Sequence, residues 1–269
     1  MNDFKILIDE MKVRGFSRKT IKCYLHINSR FLDFIKKSSK DVNKSDIESY
    51  LVHLYDRSLS SATRHLCCAA LKFYYEEVMK RRFGLKFPKK SSKLPIVLEK
   101  EEILRMIDAT ANLKHKLLLM LMYGSGLRVG ESIKARIEDF DVNRKVFTVK
   151  SGKGAKDRYV NLSDRFIQNF IIFTKNKSSG FLFESAYNAG HPITSRTASK
   201  IVEHSLRKAN ISKKAHCHTL RTSYATHLIE NGTDISYIQK LLGHSDIRTT
   251  QLYIRLSNES IRNVKSPLD

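Results

Sequence analysis

The interpretation of the sequence depends on three short segments near its end: HTLR at 218–221, LLGH at 241–244 and TTQLYIRL at 249–256. They place His218 and Arg221 one helical turn apart, followed by His244 and, nine residues later, by Tyr253. Neither a carboxylate cluster nor a metal-ligand spacing accompanies them. A tyrosine close to Arg and His side chains favours a nucleophile directed at a phosphate.

A glycine-containing segment further upstream, GSGLRVGESIKAR at 124–136, adds a second arginine. Gly124 and Gly126 are expected to bend the chain just before a new helix, with Arg128 at its first turn. An arginine beside helix N-terminal amides makes an anion site. Glu131, three residues later, can reach back as a capping or orienting carboxylate.

A lysine-rich turn lies between two β-branched runs in VFTVKSGKGAKDRYVNL at 146–162. The pattern predicts two short strands around the turn. Lys153 lies in the turn, where a hairpin can carry its amine to a substrate. The segment lacks the GxxxxGK[ST] pattern of a phosphate loop, so it implies no nucleotide site.

The side chains selected so far share a chemistry suited to a phosphodiester: Arg128, Lys153, His218, Arg221, His244 and Tyr253. Attack on phosphorus adds charge to the equatorial oxygens, which two guanidiniums can hold. A tyrosine with a pKa near ~10 needs a base or a cationic setting to attack. The leaving 5′ oxygen needs a proton, which Lys153 can give. Taken one at a time, each residue has an ordinary explanation in the core or on the surface; their joint spacing favours catalysis.

The net charge of +22 indicates a polyanionic partner, although solubility or a basic proteome would also explain it. Residues 1–93 carry 21 basic and 10 acidic side chains, and residues 94–269 carry 28 and 17, so the charge is spread over both parts. There is no apolar run of membrane-spanning length and no signal-peptide core at the N-terminus. Four cysteines without a CxxC pair favour reduced thiols and a cytoplasmic location.

Residues 1–83 are predicted to form four helices. These are 2–13, a helix capped by Ser17 and running to about 37, 44–57 capped by Asn43 or Ser45, and about 60–82. One face of the second helix is basic, through Lys19, Lys22, His26, Arg30 and Lys37. The segment GLKFPKKSSKLP at 84–95 is predicted to be a linker. We therefore expect a binding domain at 1–83, which the family resemblance described below implies to be a DNA-clamping domain, and a catalytic domain at 96–269.

The second domain is predicted to be mostly helical, with the small hairpin as its sheet. The first two helices lie in EKEEILRMIDAT and LKHKLLLMLMYG, and the second of them is expected to be buried because it is apolar nearly all round. The further helices are expected at 163–174, about 194–209, 217–230, 234–242 and 246–256. The predicted fold class is therefore mainly α, with a four-helix N-terminal unit and a catalytic domain containing a small β-hairpin.

Four segments together resemble the tyrosine recombinase (phage integrase) family, in the order found in that family. GSGLRVGE is similar to its first-arginine box, SGKGAKDRYV to its hairpin-lysine box, HTLRTSYATHL to its His-x-x-Arg box, and LLGHSDIRTTQLY to its His-to-Tyr box. The first four helices resemble the family's SAM-like core-binding domain. The residue pattern of the last box is most similar to that of the Xer branch. Thr222 departs from the family's usual residue after the second arginine.

The resemblance implies that Tyr253 attacks the scissile phosphate, giving a 3′-phosphotyrosyl bond and a free 5′-hydroxyl. It implies that Arg128 and Arg221 hold the phosphate and that Lys153 is the general acid. His218 would be the base or a phosphate ligand, and His244 a further phosphate contact.

The implied partner is double-stranded DNA with a specific site, bound by a homotetramer on two sites through a Holliday junction, and no cofactor or metal is implied. Xer-type chromosome-dimer resolution is the function expected. Integration or excision of a mobile element, a type IB topoisomerase and a DNA-binding protein without catalysis are the alternatives.

Overall fold

The computed structural model describes residues 4–89, 95–150, 157–175, 177–244 and 246–254. The chain divides into two compact units, Met1–Lys93 and Leu94–Asp269. Each unit has a hydrophobic core of its own. No helix in the described ranges is long and apolar enough to cross a membrane.

Among the described residues of the first unit, every α-helix except the first starts at a polar capping residue. Their bounds are α1 Lys5–Val13, α2 Arg18–Ile35, α3 Lys44–Asp56 and α4 Ser61–Lys72, and α4 continues as a π-helical segment, Phe73–Val78. Ser17 and Ser60 accept hydrogen bonds from the backbone N–H of the third residue after them. Asn43 rather than Ser45 caps α3, in a capping box with Asp46.

The last helix of the first unit is shorter than predicted, because its π-helical end stops at Val78 and Lys80 then takes a left-handed backbone conformation. On this helix Leu66 is 41% exposed, whereas Cys67 and Cys68 lie in the core. The two cysteines therefore pack as small apolar residues.

The core of the first unit joins α2 to α4 through both apolar and polar contacts. Phe31 and Tyr75 meet edge to face at 5.9 Å between ring centroids. Asn28 is fully buried and donates hydrogen bonds to Tyr24 O at 2.9 Å and to Ala70 O at 3.4 Å. The basic residues predicted for the other face of α2 are exposed. This helix therefore presents its bases to solvent while its apolar side packs inward.

Part of the predicted linker packs against the first unit. Leu85 is 5% exposed and belongs to that unit's core, and its backbone N–H donates to Glu76 Oε1 at 2.9 Å. Phe87 stacks on His65 with ring centroids 4.5 Å apart. Residues 90–94 lie outside the described ranges. The functional domain boundaries remain a prediction.

The second unit is built from helices around a small sheet. Its elements are α5 Lys100–Asp108, α6 Leu113–Gly124, α7 Val129–Ile133, β1 Phe140–Asp141, β2 Val146–Val149, β3 Arg158–Asn161, α8 Asp164–Thr174, α9 Ser195–Lys208, α10 Cys217–Glu230, α11 Ile235–Leu242 and α12 Ile247–Ile254. The sheet is antiparallel in the order β1-β2-β3, with Phe147 opposite Val160. The predicted fold class, mainly α with a small sheet, is confirmed.

Helix α6 lies at the centre of the second unit's core. Residues 117–122 are all buried, which explains why the sequence there is apolar on every side. The short strand β1 was not predicted, since two residues carry no detectable alternation. Phe140 on β1 stacks on Phe147 at 4.4 Å and thereby covers the sheet.

The last three helices are held by a separate small cluster of buried side chains. Its members are Ala225 on α10, Ile238 and Leu242 on α11, and Tyr253 on α12. Gly243 ends α11 with a left-handed backbone, φ +63°, and the N–H of His244 donates to Gln239 O at 3.2 Å. This Schellman turn directs the chain from α11 towards α12.

Candidate active site

The structure brings five of the six predicted site residues to one pocket of about 300 Å³: Arg128, His218, Arg221, His244 and Tyr253. The sixth, Lys153, lies outside the described residues. Within the described part of the chain, no group of three or more His, Cys, Asp or Glu side chains could hold a metal ion.

Arg221 forms the floor of the pocket and is 1% exposed. Its Nη1 donates to Gly126 O at 2.7 Å, and its Nη2 donates to Leu242 O at 2.7 Å and to His244 Nε2 at 2.9 Å. Burial, followed by the charge of Arg128, lowers the pKa of Arg221 to about 10. The guanidinium therefore remains charged at neutral pH.

The Nε atom of Arg221 is buried and has no hydrogen-bond partner among the described residues. An unpaired buried donor costs roughly 1–3 kcal/mol. An oxygen of an anion bound in the pocket would relieve that cost, which makes this edge of the guanidinium suited to phosphate.

Arg128 caps α7 and is held by the carboxylate that the sequence had suggested. Its backbone N–H donates to Glu131 Oε2 at 2.8 Å and its Nη1 to Glu131 Oε1 at 3.0 Å. Its Nη2 reaches Gly243 O at 3.3 Å. The side chain is 45% exposed, so it still has surface available to a ligand.

Arg158 on β3 is a residue that the sequence analysis missed. Its Nη1 and Nη2 contact the two carboxylate oxygens of Glu131 at 3.1 and 2.8 Å, and its Nε donates to Leu241 O at 2.9 Å. Burial opposes ionisation of Glu131, but the bonds from Arg158 and from the backbone of Arg128 lower its pKa overall. Arg158 is a positioning residue, because its guanidinium donates hydrogen bonds to Glu131 and to the Leu241 carbonyl rather than facing a ligand. The only sequence signal was its place at the start of the second predicted strand.

His244 links the arginine to the last helix. Its Nε2 lies 2.9 Å from Arg221 Nη2, and its Nδ1 lies 3.0 Å from the Thr250 hydroxyl on α12. Burial and then the charge of Arg221 lower the pKa of His244 to about 4. The imidazole is therefore neutral at physiological pH.

His218 lies at the exposed edge of the pocket, one turn before Arg221 on α10. Desolvation by its surroundings, followed by the charge of Arg221, lowers its pKa. A neutral imidazole keeps a lone pair that can accept a proton.

Tyr253 is 3% exposed and packs in the cluster that joins the last three helices. Its ring is nearly parallel to that of His244, with centroids 6.2 Å apart. The tyrosine thus lines the same pocket as two arginines and two histidines. The carboxylate of Glu131 is already paired with Arg128 and Arg158. The pocket combines a phenolic hydroxyl with positive charge, an arrangement suited to attack on a phosphodiester.

Gly126 fits the close packing behind Arg221. Its φ is +60°, and a Cβ built there would lie 2.3 Å from Tyr224 Cδ1. Its carbonyl also accepts from Arg221 Nη1. A residue with a side chain would displace both the tyrosine ring and the arginine's acceptor.

Comparison with known proteins agrees with this geometry. Residues 97–260 match the phage integrase family, and residues 4–85 match the phage integrase N-terminal SAM-like domain. The chain belongs to the phage integrase family. It is therefore a tyrosine recombinase, an enzyme class that breaks and rejoins DNA.

Relatives of this phage integrase carry both integrase and Xer names. The y4qK protein of Sinorhizobium fredii, named as an integrase/recombinase, is 33% identical over 97% of this chain and 86% of its own length. Tyrosine recombinase XerA of Pyrococcus horikoshii is 31% identical over 94% of this chain and 88% of its own length. The crystal structure of a XerA recombinase has a TM-score of 0.58 at 28% identity, covering 97% of this chain and 95% of that one.

Proposed function

We propose that this member of the phage integrase family is a site-specific recombinase of double-stranded DNA in which Tyr253 is the nucleophile. The convergence of Tyr253 with Arg128, Arg221, His218 and His244 on one pocket is the observation that carries the proposal. Solved structures of similar fold include XerH bound to its difH substrate, with a TM-score of 0.75 at 22% identity over 93% of this chain and 80% of that one.

In the proposed reaction, the Tyr253 oxygen attacks phosphorus and the bond from phosphorus to the 5′ oxygen breaks. His218 takes the phenolic proton, because its lowered pKa leaves it neutral. Lys153 gives a proton to the departing 5′ oxygen. Arg128, Arg221 and His244 stabilise the charge on the equatorial oxygens. The bond energy is retained in the phosphotyrosyl link, so rejoining requires only a 5′-hydroxyl.

Trapping the covalent intermediate tests the nucleophile. Genomic fragments that become covalently attached to the protein identify the site, and a nicked duplex of that sequence then serves as a suicide substrate. Wild-type protein and the Tyr237→Phe variant, altered at an exposed tyrosine on α11, should both form the adduct. Tyr253→Phe should bind the duplex without forming it. An adduct formed by Tyr253→Phe would overturn the assignment.

A sulfur leaving group tests Lys153 separately. Lys153→Ala should cleave an ordinary duplex slowly, because the 5′ oxygen leaves without a proton. A duplex with sulfur in place of that oxygen should be cleaved at nearly the wild-type rate, since a thiolate is a weaker base and needs no acid. Equal defects on the two substrates would contradict a general-acid role.

Xer-type resolution of chromosome dimers is the role that we propose, acting as a homotetramer on two sites. Similarity to XerA and to XerD of Staphylococcus saprophyticus supports it, the latter at 32% identity over 93% of this chain and 92% of that protein. A plasmid with two copies of the trapped site should be resolved into two circles. Integration or excision of a mobile element is the second candidate, because integrase-named relatives are equally similar. Relaxation of a plasmid without the site would instead identify a topoisomerase.

A further inference from the structure

A partly buried chain of hydrogen bonds leads from Arg221 through His244 to Thr250 on α12. The two links measure 2.9 and 3.0 Å. Thr250 is 0% exposed, so its hydroxyl is available to the imidazole and not to solvent. It lies one helical turn before Tyr253, on the same side of α12.

The donor and the acceptor in each of these two hydrogen bonds follow from which groups carry a hydrogen. A guanidinium can only donate, so His244 Nε2 must accept from Arg221 and cannot carry a hydrogen. The neutral ring then carries its hydrogen on Nδ1, which donates to the Thr250 oxygen. In this tautomer, His244 has no donor to offer to a phosphate in the pocket.

Binding of phosphate disturbs this arrangement at Arg221. The Nε–H and Nη2 lie along the same edge of the guanidinium, the edge that binds two oxygens at once. Nη2 already serves two acceptors, Leu242 O and His244 Nε2, whereas Nε serves none. Leu242 O is fixed at the end of α11. A phosphate taking the Nε–Nη2 edge must replace one of these two acceptors, and we infer that it replaces the His244 side chain, because Leu242 O belongs to the main chain.

The displaced Nε2 would face a phosphate oxygen, and two acceptors repel each other unless the nitrogen gains a hydrogen. We propose that Thr250 is a positioning residue that allows His244 to exchange tautomers when phosphate binds. His244 itself is only partly buried, so water reaches the displaced ring, takes the Nδ1 proton and supplies one to Nε2, and no net charge is moved. The Thr250 hydroxyl turns from acceptor to donor and holds Nδ1 in the new state, which a hydroxyl can do because it has both functions.

This inference rests on the proposed phosphate chemistry. An experiment can distinguish it from a purely structural role of Thr250. If the hydroxyl merely anchored α12, the tautomer of His244 would not change on binding. Nitrogen NMR of ¹⁵N-histidine-labelled protein distinguishes the two tautomers by the shifts of Nδ1 and Nε2, with inorganic phosphate as the probe. We expect His244 to carry its hydrogen on Nδ1 in free protein and on Nε2 when phosphate is saturating.

Three results would contradict the inference or its basis. Retention of the Nδ1–H form, while His218 signals shift with phosphate, would overturn the tautomer exchange and leave the phosphate site intact. A doubly protonated His244 would also overturn it, because Thr250 would then remain an acceptor. If no histidine signal moved, the proposed phosphate site itself would be wrong and the inference would fall with it.

Substitutions at Thr250 complete the test, with cleavage of the suicide substrate as the readout. Thr250→Val should lower the cleavage rate by roughly 10²-fold, the loss expected for one transition-state donor, with little change in DNA affinity. Thr250→Ser retains the hydroxyl and should remain close to wild type. Thr226→Val removes another fully buried hydroxyl, one bonded to Thr222 O within α10, and controls for general destabilisation. Equal losses in Thr250→Val and Thr226→Val would contradict the proposal.

Discussion

At the scale of single residues, the pocket depends on main-chain oxygens that hold Arg221. Two of its acceptors are the carbonyls of Gly126 and Leu242, both at places where the chain reverses. The side chain alone therefore does not define the site. The backbone at these turns fixes where the positive charge lies.

Gly126→Ala is expected to destabilise the second unit by about 2–5 kcal/mol. A left-handed conformation costs roughly 1–2 kcal/mol for a residue with a Cβ. Overpacking against Tyr224 adds roughly 1–3 kcal/mol. Urea unfolding followed by circular dichroism measures the loss.

Gly130→Ala is the matched control for that substitution. It lies two residues after Arg128, in α7, and a Cβ there meets no atom of the described residues within 4 Å. Alanine is favoured over glycine within a helix by roughly 0.5–1 kcal/mol. An equal loss of stability in the two variants would show that contact with Tyr224 is not the cause.

His244 should make the folded state sensitive to acid. Its pKa is lowered from the ordinary 6.5 to about 4, so between these values the unfolded chain binds a proton that the folded protein does not. The free energy of unfolding should therefore decrease as the pH falls from about 6.5 towards 4. His218 and His227, whose pKa values are also lowered, act in the same direction.

His244→Gln should reduce this pH dependence, because glutamine does not titrate in the range. Urea unfolding at several pH values between 4.5 and 7.5 gives the two slopes. Identical slopes for the variant and the wild type would mean that His244 is not protonated on unfolding.

At the scale of elements, the side chain of Arg158 connects three secondary-structure elements that are far apart in the sequence. It extends from β3 to Glu131 on α7 and to the main chain at the end of α11, where Gly243 leaves room for it. A Cβ on Gly243 would lie 3.1 Å from Arg158 Cδ. The strand after the lysine turn is thereby tied to both arginine-bearing regions of the pocket.

Arg158→Gln is expected to lower the unfolding free energy by about 2–4 kcal/mol, because it leaves a largely buried carboxylate with one partner fewer. The side chains of Arg158 and Glu131 are only 11% and 17% exposed. Arg207→Gln, which breaks a solvent-exposed pair with Glu203, should cost under ~1 kcal/mol. A double variant, Glu131→Gln with Arg158→Gln, should lose less than the sum of the single losses.

At the scale of the whole molecule, both units carry a large excess of basic residues. If double-stranded DNA is the partner, as proposed, its affinity should fall steeply with salt. Each neutralised phosphate contributes about −0.9 to the log–log slope. Fluorescence anisotropy of a labelled duplex at several salt concentrations measures that slope.

Lys22→Ala tests whether the exposed basic face of α2 contributes. The variant should reduce the magnitude of the slope by about 0.9 if the lysine contacts a phosphate. Lys44→Ala, on α3, removes an exposed lysine that lies near Glu48 and should leave the slope nearly unchanged. An unchanged slope for Lys22→Ala would exclude this lysine from the interface.

The sequence by itself determined most of the helices, the cap at Ser17, the two hairpin strands and five of the residues that line the pocket. Those features depend on short-range periodicity and on residues at fixed spacing. Only the tertiary structure decided that Arg221 is buried against Gly126 O, 95 residues away, and that Arg158 reaches Leu241 O, 83 residues away. The role of Thr250 beside His244 also emerged there. These contacts join elements through folding, and no local pattern encodes which side chains will meet.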